Sequence, residues 1–294
     1  MKTKYLQFKL SDGRILAYSE CGDPKGFPVL FFHGTPGSRL QSKDFNQQAL
    51  STQCRFFGID RPGMGYSSPN KKHSIMNFTS DIQELVNFLE IDKVAIIAHS
   101  GGAPFALAYA ATYVSSVSQL AIVSGIAPTT LEEASGMLSL SMRIINMCVR
   151  FIPGFAFILM YLTRLMHEKT SLFKQAIKKL PEPDKKILNN TQHFHTLVDS
   201  GNEAFRQGLS AAAQEFKIVV SDWGFDISQI KCPVSIWHGG LDQQVPLSNA
   251  KFFQKLILNA KLIDLENEGH LSVLYNHMSD ILKNIHTQSN LLTR

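Results

Sequence analysis

Cysteine, charge and ligand-forming motifs are all scarce in this chain, and each shortage removes a class of function. The four cysteines, Cys21, Cys54, Cys148 and Cys232, show no C-x-x-C spacing, so neither a zinc ribbon nor a thioredoxin-like redox pair is encoded. Cys54 and Cys232 fall in apolar, strand-like runs, where a free thiol behaves as a small hydrophobe. Reduced thiols of this kind fit a cytoplasmic protein. Met1-Lys2-Thr3-Lys4-Tyr5 leads straight into an alternating strand pattern with no apolar h-region, so no signal peptide is expected. Charged residues make up only 18%, with a net charge of +5. The basic pairs Lys71-Lys72, Lys178-Lys179 and Lys185-Lys186 are scattered, which describes a solvated surface rather than a nucleic-acid footprint. No glycine-rich phosphate loop or dinucleotide fingerprint is present, so no cofactor is expected. His193 and His195 join no cysteine or carboxylate at metal-ligand spacing, so no metal is expected.

What the chain does have is a set of strand-end loops. The apolar run Lys93-Val94-Ala95-Ile96-Ile97 leads into Ala98-His99-Ser100-Gly101-Gly102, and an alanine-rich helical stretch follows. Strand, tight turn with a central serine and helix make a nucleophile elbow, with Ala98 in the first small-residue position. The turn is sharp enough that only small side chains fit two residues either side of the serine. The N-terminus of the helix that follows favours negative charge at the site.

A serine hydroxyl needs a histidine to take its proton, and that histidine needs an acid to hold its tautomer. Both follow in the chain. Cys232 to Gly239 reads as a buried strand ending at Gly240-Leu241-Asp242, and Ala260 to Leu265 as a strand ending before Glu268-Gly269-His270. In a parallel sheet these strand ends share one edge, so Ser100, Asp242 and His270 can converge as nucleophile, acid and base. The run Phe27 to Phe32 enters His33-Gly34-Thr35-Pro36-Gly37. This places the backbone N–H groups of Thr35 and Gly101 as the expected oxyanion donors.

These loops, together with Asp60-Arg61-Pro62-Gly63-Met64-Gly65-Tyr66-Ser67, resemble the α/β-hydrolases of the proline-iminopeptidase and small-esterase branch, over essentially the whole chain. The resemblance implies an eight-stranded, mostly parallel sheet with helices on both faces and an inserted helical cap. It departs from the iminopeptidase pattern at Gly101, where those enzymes carry a bulky residue. A serine at the elbow also argues against dehalogenase or epoxide hydrolase chemistry, which uses a carboxylate nucleophile in this fold.

Strand and helix alternation runs to about residue 127, lapses, and resumes near 228, so the expected division is a core of 1–127 and 228–294 with a cap of 128–227. Residues 39–51 read as one helix. In the cap, Ile144 to Leu162 is broken only by Arg150 and Pro153-Gly154. A bent pair of helices packed over the pocket is expected there. Peripheral membrane contact is the lesser alternative, and Arg150 with the Pro-Gly break argues against a transmembrane span. His33, His99, Asp60 and Arg61 read as structural, and Trp223-Gly224-Phe225 as packing between cap and core. Glu203 and Glu215 read as a solvated helix face, with binding of a substrate amine as the alternative. After the sixth strand no carboxylate occurs before Glu132, which leaves Asp242 as the acid.

The reading that follows is a serine hydrolase acting on small to medium apolar carboxylic esters through an acyl-enzyme. Three alternatives use the same residues: an iminopeptidase-like aminopeptidase, a carbon–carbon bond hydrolase, and a slow-turnover ligand-binding receptor. Oligomeric state is not encoded legibly.

Overall fold

A computed structural model describes residues 4–130 and 138–292. Eight strands form one sheet: β1 (Lys4–Lys9), β2 (Ile15–Gly22), β3 (Phe27–Phe32), β4 (Cys54–Ile59), β5 (Val94–His99), β6 (Val117–Val123), β7 (Val234–Gly239) and β8 (Ala260–Leu265). Their spatial order is β1-β2-β4-β3-β5-β6-β7-β8. The β1–β2 and β2–β4 pairs are antiparallel, and the remaining pairs are parallel.

The central strands are apolar throughout because both of their faces are covered. Along β5, Val94, Ile96 and Ala98 face one core with Phe105, Ile82 and Leu85. Ala95 and Ile97 face the other, with Phe45, Leu274 and Met278. The same period of two splits β3 into Leu30 and Phe32 against Val29 and Phe31. Helices α2 (Ile75–Phe88) and α3 (Ala103–Thr112) cover the first face. Helices α1 (Asn46–Ser51) and α11 (Ser272–Leu292) cover the second. α2 starts where the Ser74 side chain accepts from the Asn77 N–H at 3.0 Å, satisfying a donor that the first helical turn leaves open.

Residues 39–51 do not form one helix. Arg39–Phe45 is a 3-10 turn that passes into α1. The Ser42 hydroxyl donates to the Arg39 carbonyl at 2.7 Å, and the Arg39 N–H donates to Asp60 at 2.8 Å. These local and longer-range bonds compete with the i to i+4 pattern of an α-helix.

Among the described residues, 138–227 contain no strand until the sheet resumes. Six helices lie there: α4 (Leu140–Phe151), α5 (Phe155–Glu168), α6 (Thr170–Ile177), α7 (Glu182–Asn189), α8 (Thr191–Ala204) and α9 (Ser210–Val219). α10 (Leu247–Leu256) then follows β7. Residues 131–137, with Glu132 among them, lie outside the described residues. The expected break at Pro153-Gly154 is present, and the two helix axes turn by 119° there. The expected packing of that pair over the pocket is partial, with Met166 and His167 of α5 lining the cavity that holds Ser100. Phe151 is 75% exposed and Ile158 57%, so much of the pair's apolar surface points away from the protein. No single described helix is long and apolar enough to cross a membrane.

Candidate active site

β3, β5, β7 and β8 run parallel and finish at one edge of the sheet, which collects their loops. Ser100 follows β5 directly with φ 52°, a left-handed conformation uncommon for a residue with a side chain. The strain is that of a strand turned abruptly into a helix, and it leaves Ser100 partly exposed while its neighbours are buried. Gly102 is required by the same turn, since a Cβ there would run into the Phe32 carbonyl oxygen. A Cβ on Gly101 would lie 3.2 Å from the Thr35 backbone nitrogen, and one on Gly34 3.4 Å from the Ser100 Cβ. The loop after β3 is thus pressed against the elbow.

Asp242 and His270 come from the loops after β7 and β8. Gly239 lies so close to the Glu268 carbonyl that a side chain would not fit, and the Leu241 N–H donates to that carbonyl at 2.9 Å. The two loops are therefore stitched together. Asp242 Oδ2 lies 2.8 Å from His270 Nδ1, and its Oδ1 accepts from the Gln244 and Val245 N–H groups at 2.8 and 2.9 Å. With the carboxylate ionised, Nδ1 donates and Nε2 keeps its lone pair. Burial pulls His270 down, but the charge of Asp242 and its hydrogen bond outweigh this. The histidine sits above its ordinary value. Asp242 is pushed up by burial, but the charge and hydrogen bond of His270, with the Val245 N–H and the charge of His238, together hold it below the usual carboxylate range.

Ser100, His270, Gly34 and Thr35 line a cavity of about 260 Å³. Its other walls come mainly from the helical block: Met166, His167, Phe173, Ile177, Leu188 and Leu197. No carboxylate is among its described lining residues. His167 is held neutral by burial, which lowers it to about 4, and its Nδ1 has no hydrogen-bond partner.

Two helices of the block reach into the machinery with carboxylates that carry no local sequence signal. Asp184, on α7, accepts from three consecutive backbone N–H groups, those of His270, Leu271 and Ser272, at 3.0, 3.0 and 2.9 Å. It closes the N-terminus of α11 and fixes the His270 backbone. Gly269 makes room, since a Cβ there would lie 2.5 Å from Asp184 Oδ1. Glu215, on α9, is fully buried. It takes two bonds from Arg61, at 2.6 and 2.8 Å, and one from the Thr35 hydroxyl at 2.8 Å. Arg61 in turn donates to the His33 and Gly34 carbonyls at 2.7 and 2.9 Å. One arginine and one carboxylate thus clamp the loop that carries Thr35.

The expectation of a solvated face for Glu203 and Glu215 is overturned. Glu203 is also buried, 2.7 Å from Arg39 and 2.8 Å from Arg206. Both carboxylates are consumed by arginines and neither lines the cavity. His33 bonds its neighbour's carbonyl at 2.8 Å. His99 Nε2 lies 3.2 Å from the His270 carbonyl, and burial, with the nearby His270, brings His99 down to about 3. Both histidines hold backbone. Trp223 is buried and stacks on Phe225, away from the cavity.

The family model for the alpha/beta hydrolase fold matches residues 28–277. The chain belongs to this family. An uncharacterised hydrolase of Bacillus subtilis is 27% identical over 267 residues, covering 88% of this chain and 89% of that protein. A proline iminopeptidase of Xanthomonas citri is 33% identical over 116 residues, 37% of this chain and 36% of that one. Among solved structures, an esterase from Exiguobacterium antarcticum superposes with a TM-score of 0.72 at 20% identity, covering 97% and 98% of the two chains. That likeness concerns the fold, which hosts many chemistries.

Proposed function

We propose that this hydrolase cleaves small to medium carboxylic esters with an apolar acyl or alcohol part, with Ser100 as nucleophile, His270 as base and Asp242 as its acid partner. His270 Nε2 takes the hydroxyl proton as Ser100 Oγ bonds to the carbonyl carbon. The N–H groups of Thr35 and Gly101 hold the resulting oxyanion. His270 passes the proton to the departing alcohol, and the acyl group stays on Ser100. Water then gives its proton to His270, adds to the acyl carbon and releases the acid, and the proton returns to Ser100. Asp242 stabilises the imidazolium in both halves. Losing one oxyanion donor would cost about 2.7–4 kcal/mol of transition-state stabilisation.

The observation that carries this reading is the 2.8 Å His270–Asp242 bond beside a left-handed Ser100 in a cavity with apolar walls and no lining carboxylate. An aminopeptidase needs an anion to hold the substrate amine. Here the cap carboxylates Glu203 and Glu215 are already paired with arginines. The test compares p-nitrophenyl esters of increasing chain length with dipeptide p-nitroanilides. Ester turnover with an optimum at short to medium chains is expected. Preference for the anilides would replace the esterase reading with an aminopeptidase. Failure of the folded protein to turn over either would sink both.

A further inference from the structure

We infer that the bent helix pair α4–α5 is a docking surface for an anionic phospholipid bilayer. Leu140, Ile144, Met147 and Phe151 on α4, and Ile158 and Leu162 on α5, are all exposed and recur at the three- and four-residue spacing of one helix face, an apolar display of a kind that marks interaction surfaces. The 119° turn puts Phe151 and Ile152 at a corner where the two helices meet. At a rise of 1.5 Å per residue the helices are about 18 and 21 Å long. Neither crosses an apolar layer of about 30 Å, so the geometry suits lying in the interface rather than spanning it.

Charge selects the partner. From Ala134 to His167 the only charged residues are Arg143, Arg150 and Arg164, and none is acidic. Arg164 is paired with Glu168 at 2.6 Å. Arg150 bonds only neutral acceptors, the Val220 carbonyl and the Thr129 hydroxyl. Arg143 is exposed and has no carboxylate partner among the described residues. An apolar face with uncompensated arginines complements acidic lipid headgroups. A second copy of this chain would lay the same patch on itself across a two-fold axis, and the one acid on α4 and α5, Glu168, is already paired with Arg164.

The face also connects with the interior. Beneath it lies an apolar cavity of about 260 Å³ lined by Met142, Ile145, Phe216 and Val245, and Gln244 lines both this cavity and the one that holds Ser100. The docking itself does not rest on the esterase reading.

The experiment is co-sedimentation with vesicles of phosphatidylcholine alone and of equal parts phosphatidylcholine and phosphatidylglycerol, using wild type, Ser100→Ala, Phe151→Asp/Ile158→Asp and Arg143→Glu. Wild type and Ser100→Ala are expected to bind the mixed vesicles equally, and the double variant at least about tenfold more weakly. Arg143→Glu should lose affinity for the mixed vesicles only. The double variant should stay folded and keep its turnover of a soluble ester. Absence of sedimentation with wild type, or equal binding by the double variant, would overturn the proposal. A wild-type dimer in sedimentation velocity that the double variant dissolves would also overturn it, and would assign the face to a second copy.

Discussion

Helices α7 and α9 turn carboxylates into the core, whereas α4 and α5, in the same helical block, turn phenylalanine and isoleucine out of it. Asp184 and Glu215 are each fully buried and satisfied by backbone or arginine donors. Phe151 and Ile158 are 75% and 57% exposed. Residue polarity is thus inverted relative to the usual rule of apolar inside and charged outside. The inversion has a physical reason on the inner side. Loops that hold a reacting group need directional fixing, and hydrogen bonds to a charged acceptor supply direction that dispersion contacts do not. The outer side has no such constraint, and its composition is free to match a partner.

The contrast is sharpest where it is broken. The largest stability effect is expected at Glu215→Ala, which leaves Arg61 charged and buried without its partner. Removing one member of a buried pair costs about 3–5 kcal/mol, read as a lower urea midpoint at unchanged slope. The Thr35 loop loses its clamp as well, so the surviving folded protein should acylate more slowly with little change in KM.

Asp184→Asn comes next. Asparagine keeps the volume and one acceptor, but its amide group meets the His270 N–H donor to donor. A loss of about 1.5–3 kcal/mol is expected, the range for hydrogen bonds to charged groups. This variant also has a pH signature. Burial lowers His270, the charge and hydrogen bond of Asp242 oppose this, and with the charge of Asp184 the net result is a rise. The base works only when neutral, so kcat/KM should fall as pH drops through a value above the ordinary 6.5 of histidine. Without the Asp184 charge that acid limb should move to lower pH. A merely structural loss would lower the whole profile without moving it.

The smallest effect is expected at Phe151→Asp. An exposed side chain has little packing to lose, and stability should stay within about 0.5 kcal/mol of wild type. A loss of several kcal/mol in the melting profile would show that the outer face is packed after all, and the contrast would fail.

Much of the architecture was legible in the chain. The central strands could be read because sheet burial on both faces writes a continuous apolar run, as in Val94 to Ile97 and Val29 to Phe32. The elbow could be read because its steric demand falls on adjacent residues, Ala98, Gly101 and Gly102. Asp242 and His270 could be placed from their strand ends. What stayed hidden depends on contacts made far along the chain. Asp184 meets the His270 N–H from 86 residues away, and Glu215 meets Arg61 across 154. A carboxylate on an amphipathic helix looks the same in sequence whether it meets water or an arginine. Ile144 to Leu162 is equally mute, because apolarity states that a surface avoids water but not what covers it. The splitting of residues 39–51 was hidden for a similar reason, since Arg39 is tied to Asp60 on the loop of the neighbouring strand.

Labelling with a fluorophosphonate, read as the mass of the intact protein, tests the central claim most directly. The account predicts one adduct on wild type and none on Ser100→Ala, with labelling slowed at low pH as His270 takes up a proton. Adduct formation on the Ser100→Ala variant, or none on folded wild type, would contradict it.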